Sequence, residues 1–144
     1  MTHKDAQRYA SKHPPGTKTD PRIAEAVKQK MANGKITCAA AHEIARDLKV
    51  SPGEVGVSLD LLEVRINECQ LGLFGYRPQR KVVTPAQSVA PEMEDAVREA
   101  IVNHRISCLA CWEIARRFGT ARMYVAAACE ALGVKIVSCQ LGSF

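Results

Sequence analysis

From Pro21 onward, apolar residues recur at helical spacing at Ile23, Ala26, Val27 and Met31. They follow Asp20-Pro21, an N-cap acceptor with proline at the first helical position, where a missing N–H costs nothing. Gly34 sits where such a helix would stop. Lys35-Ile36-Thr37 is long enough only for a bridge or brief strand. Ala41, Ile44, Ala45 and Leu48 then mark a second amphipathic helix with Thr37 as its N-cap. Ser51-Pro52-Gly53-Glu54 is a capping box with proline at the first position, and it opens a third helix. Val64 and Ile66 alternate with polar neighbours as a strand does, and Gln70-Leu71-Gly72 reads as a tight turn or small wing. The pattern predicts helices near 21–33, 38–49 and 52–62.

The same pattern returns 70 residues later. Residues 21–74 align without a gap on 91–144, and 20 of the 54 pairs are identical. The matches include Asn33/Asn103, Ile36/Ile106, Cys38/Cys108, Glu43-Ile44-Ala45-Arg46 with Glu113-Ile114-Ala115-Arg116, and Cys69-Gln70-Leu71-Gly72 with Cys139-Gln140-Leu141-Gly142. Two copies of one small fold are expected, at 21–74 and 91–144. A basic tail at 1–20, read as flexible, precedes them, and a basic linker at 75–90 joins them.

The second and third helices of each copy are separated by only about three residues, the spacing of a helix-turn-helix. The stretch from Ile44 to Val55, with Ile44-Ala45 at its start and Val50-Ser51 closing the turn, resembles the helix-turn-helix core of many bacterial regulators. Ile114 to Val125 resembles it too, and has Gly119 in the turn. A helix before the motif and a strand after it are similar to the winged-helix variant. The resemblance implies a mainly α fold of two tandem three-helix domains with short β elements. It also implies a DNA-binding transcriptional regulator or accessory protein.

Charge tempers that expectation. The formal net charge of +5 lies wholly in the tail and the linker, since repeat one carries seven basic and seven acidic residues and repeat two six of each. Affinity for nucleic acid draws on cations that release counterions at phosphates, so neutral repeats weaken the DNA reading. A basic arm can restore it by entering a groove beside a recognition helix. Tyr76-Arg77-Pro78-Gln79-Arg80-Lys81 offers such an arm, through Arg77, Arg80 and Lys81; a solvated spacer is the other reading. The third helices offer little to base edges. Repeat one presents Pro52, Gly53, Glu54, Gly56, Val57 and Asp60, and in repeat two only Arg122 and Tyr124 suit phosphate or base. The small faces at Gly56-Val57 and Ala126-Ala127-Ala128 suit close helix packing. A protein–protein adaptor that keeps the fold without reading DNA is therefore the alternative, with a protein partner or a second copy bound.

Cysteine is the remaining candidate chemistry. Cys38, Cys69, Cys108 and Cys139 recur at equivalent places, and Cys38 and Cys108 follow the N-caps Thr37 and Ser107, where a helix dipole favours thiolate. Four thiolates could hold zinc or an iron–sulfur cluster, although a spacing of 31 residues within each copy is no zinc signature. Burial as small hydrophobes is the competing reading, and it suits Cys111 and Cys129, which replace Ala41 and Leu59 of repeat one. His42 and Trp112 occupy equivalent positions on one helical face, and His3, His13 and His104 have no cluster of ligands around them. No Ser-His-Asp order, phosphate-binding glycine loop or HExxH is present, so neither an enzyme nor a resident cofactor is expected. The N-terminal stretch carries no apolar run that could serve as a secretory signal, and no apolar segment reaches the roughly 18 residues of a membrane span. The expected location is cytoplasmic, without membrane contact.

Overall fold

The computed structural model describes residues 8–144; His3 and Lys4 of the expected tail lie outside the described residues. The chain is mainly helical, with short strands. Repeat one runs α1 (Pro21–Lys30), β1 (Lys35–Thr37), α2 (Cys38–Leu48), α3 (Pro52–Leu61) and β2 (Arg65–Asn67). Repeat two runs α4 (Pro91–Ala100), β3 (Arg105–Ser107), α5 (Cys108–Phe118), α6 (Arg122–Leu132) and β4 (Lys135–Val137).

The local signals act where the sequence puts them. Asp20 accepts from the Arg22 N–H, Thr37 from Ala40 N–H, and Ser107 from Ala110 N–H. Ser51 and Glu54 form the reciprocal capping box. Helix α1 is shorter than predicted. Its chain turns extended at Met31, and Asn33 and Gly34 both take positive φ between the bridged residues Ala32 and Lys35. An Asn-Gly pair is the natural occupant of such a turn, and it claims residues that the helical pattern would otherwise extend through.

Each pair of strands is parallel. Ile36 faces Ile66, and Ile106 faces Ile136. Parallel strands need a crossover, and here the two helices between them supply it. The residues after β2 form turns and no hairpin, so the expected wing is absent among the described residues.

The chain divides into two compact units that do not coincide with the two contiguous repeats. Unit 1 holds residues up to Cys69 together with Gln140–Phe144, and unit 2 holds Gln70–Cys139. The boundaries 21–74 and 91–144 are therefore corrected at their ends: the five residues after each copy's final cysteine belong to the other unit. In unit 1, Leu141 is fully buried and its main chain lies against Gly56 of α3. In unit 2, Leu71 is fully buried.

The described part of the tail packs into unit 1. Tyr9–Lys12 forms a 3₁₀ turn in unit 1, and Tyr9 is buried. The Tyr9 and Ala10 N–H groups donate to the Glu63 carboxylate. Asp60 of α3, only 3% exposed, accepts from His13 Nε2 at 2.8 Å and pairs with Lys12 Nζ at 3.1 Å. Lys12 also donates to the Gly142 carbonyl. The segment 75–90 is likewise no free spacer. Val82 and Val83 donate to the Gly72 carbonyl, Val83 is buried, and Ala86 donates to the Ala127 carbonyl of α6. Each third helix is thus covered by the arm that precedes its repeat, and a cation from that arm meets the aligned acids Asp60 and Glu130.

Candidate nucleic-acid interface

That covering decides what the third helices can present. Val55, Gly56, Ser58, Leu59 and Asp60 of α3 are buried, leaving Gly53 and Glu54 exposed. The sequence placed Gly56 and Asp60 on an outer face; packing of the arm and of Leu141 puts them inside. Helix α6 buries Val125, Ala126, Ala128 and Cys129, and Glu130 is paired with Lys81. The first turn of α6 remains open, with Arg122 half-buried and Tyr124 exposed.

The opening there is a groove of about 700 Å³ in unit 2. Trp112 and Leu109 of α5 line it, with Arg116 on the same helix, Arg122 and Met123 at the start of α6, and Gln70 and Tyr76 from the segment after β2. Three residues, 119–121, separate the two helices, and Gly119 takes the left-handed conformation that ends α5. The Arg122 guanidinium carbon lies 3.6 Å from the centroid of the Trp112 ring. Its Nη1 donates to Gln70 Oε1 at 3.0 Å. Arg116 and Arg117 are exposed at the C-terminal end of α5, where cations also complement the helix dipole.

The sequence-predicted residues therefore take different stations. Arg77 and Arg80 are exposed. Lys81 is exposed but tied to Glu130, and Arg122 is fixed in the groove. Because 75–90 folds into unit 2, this unit has nine basic and six acidic residues, a net of +3. Counting contiguous repeats conceals that excess, since the linker's charge is assigned to neither. Sequence reasoning assigns Trp112, Gln70 and Arg116 to no site. The available signal was a joint replacement: His42 and Pro52 of repeat one become Trp112 and Arg122 in repeat two.

The cysteines separate as well. Cys38, Cys69, Cys108, Cys111 and Cys129 are buried, while Cys139 is half-buried. Among the described residues, no three His, Cys, Asp or Glu side chains gather where they could hold a metal ion. The geometry therefore gives no support to a site built from Cys38, Cys69, Cys108 and Cys139. The Cys111 thiol is pushed far above its ordinary range by its hydrogen bond with Cys129 and by burial. Among the described residues, no helix is long and apolar enough to cross a membrane. The chain matches no family model, no curated protein and no solved structure.

Proposed function

We propose that the protein binds duplex DNA through unit 2, as a transcriptional regulator or an accessory protein in the cytoplasm. One observation carries this reading: Arg116 and Arg122 converge with Trp112 and Tyr76 on an open groove at the turn between α5 and α6, in a unit of net charge +3. Exposed arginines suit phosphates, and the first turn of a helix following such a turn suits base edges. Among the described residues, α3 of unit 1 offers no equivalent surface, because it is covered and its exposed first turn carries Glu54. DNA contact would thus be made by one copy.

A second reading is favoured by burial of both third helices: an adaptor whose groove takes an acidic, apolar segment of a protein partner, with Leu109, Trp112 and Met123 meeting apolar side chains and the arginines meeting carboxylates. Titration of mixed-sequence duplexes by fluorescence anisotropy separates the two. The DNA reading expects binding at about 50 mM salt that falls steeply by about 200 mM. Absence of binding at the lower salt would overturn it and leave the adaptor.

A further inference from the structure

Three separate stretches of chain fix one planar cation. Arg122 is the first residue of α6; the indole of Trp112 on α5 covers one face of its guanidinium, and Gln70 takes one of its N–H groups. Among the described residues, Gln70 is the acceptor recorded for this guanidinium, through Nη1, which leaves Nε and Nη2 as a pair of donors side by side on a residue that lines the groove. An arginine held in this way has already surrendered rotamer freedom, so little more is lost when its remaining donors engage.

The duplication shows that the fold itself does not require this arrangement. The equivalent positions in repeat one hold His42, Pro52 and, in the tail that belongs to unit 1, Gln140. The glutamine is common to both copies, whereas the ring and the cation are present together in one copy only. Retention of phosphates would not need a rigid fork, and Arg77, Arg80, Arg116 and Arg117 already stand exposed in unit 2 for that purpose. A fixed fork with a vacant donor pair, at the first turn of the helix after the turn, matches the paired acceptors O6 and N7 that guanine presents in the major groove.

We propose that Arg122 reads a guanine in duplex DNA, with Trp112 and Gln70 as its positioning residues. This inference rests on the DNA reading above. Its test is selection from a random duplex library by the full chain and by Arg122→Lys, which keeps the charge and loses the fork. The enriched duplex is then titrated with 7-deazaguanine in place of guanine, a change that removes N7 and leaves the protein untouched. The wild-type chain should enrich a fixed guanine, and the 7-deaza duplex should bind about tenfold more weakly. Arg122→Lys should still bind DNA while losing that preference. Trp112→Phe should keep the preference and Trp112→Ala should lose it. Enrichment of the same guanine by Arg122→Lys would overturn the assignment, as would an equal loss of affinity on enriched and unrelated duplexes, the mark of a phosphate contact. Wild-type binding without base preference defeats the Arg122 assignment alone. No wild-type binding at about 50 mM salt defeats the DNA reading beneath it.

Discussion

The main chain of Leu141 fills the space that a side chain on residue 56 would need. Residue 56 lies within α3, where glycine ordinarily costs about 0.5–1 kcal/mol relative to alanine. Gly56→Ala should therefore reverse the usual sign. The gain in helix propensity is outweighed by overpacking against a backbone that cannot move as a side chain end can, which costs about 1–3 kcal/mol. Urea unfolding should show a lower midpoint. An unchanged or raised midpoint would mean that Leu141 does not sit on α3.

Asp60 supports a second prediction in unit 1. Its carboxylate is nearly inaccessible and is met by Lys12 and His13 from the arm, while Tyr9 is buried in the same unit. Removing His13 leaves a buried acid with one partner fewer, at a cost of about 1–3 kcal/mol. Tyr9→Ala should cost about 3–5 kcal/mol, as loss of a large buried ring does. A flexible tail would predict no effect from either change, so unaltered thermal midpoints for both variants decide against the docked arm.

How much of this was legible in the sequence depends on range. Caps at Asp20, Thr37, Ser51 and Ser107 act within a few residues, and each appears where the residue types place it. The repeat was legible because both copies preserve Ile36, Cys38 and Ile44 at matching positions. Tail exchange was not. Gln70-Leu71-Gly72 and Gln140-Leu141-Gly142 are identical, so nothing local says which unit each will join. The arms were misread for a related reason: charges such as Lys12 and Lys81 look solvated until the acid that meets them is brought close by tertiary packing. At the groove, Arg122 could be named from its type, but its fixation by Trp112 and Gln70 depends on contacts across about 10 and 50 residues of sequence.

At the start of α1, the side chain and main-chain N–H of Arg22 hydrogen-bond the Asp20 carboxylate and hold its pKa below the usual carboxylate range. A depressed value means that Asp20 contributes stability above its unfolded pKa, and that this contribution is lost as pH falls through the folded value. Asp20→Asn keeps a good N-cap but cannot titrate. The variant should lose less stability than wild type on acidification, and NMR titration should place the Asp20 midpoint below that of an unstructured peptide. Parallel acid unfolding of the two proteins counts against the bond.

Thiol reactivity should follow burial. The Cys111 thiol stays protonated because it is hydrogen-bonded to Cys129 and buried, and Cys38, Cys69 and Cys108 are also buried. Only the thiolate reacts, so iodoacetamide should modify half-buried Cys139 first in the folded protein. Peptide mapping after brief labelling reads this directly. Early modification of Cys38 or Cys108 would instead indicate activation at a helix N-terminus.

The expected arm cations are not equivalent, and salt dependence should expose the difference. Arg77 and Arg80 are exposed, whereas Lys81 is paired with Glu130 of α6. If DNA binds unit 2, each phosphate contact releases condensed counterions and adds about 0.9 to the slope of log affinity against log salt. Arg77→Ala and Arg80→Ala should each reduce the slope by about 1, and weaken binding alike on every sequence. Lys81 must leave Glu130 before it can meet a phosphate, so Lys81→Ala removes a smaller contact and frees an acid beside the interface. Its slope should change by less than that of either arginine variant, while affinity falls through repulsion from Glu130. The double variant Lys81→Ala, Glu130→Gln should recover that part of the loss, because the freed charge is gone. Equal slope changes for all three cations, without recovery in the double variant, would show that Lys81 acts as an ordinary phosphate contact and that its pairing on α6 has no bearing on binding.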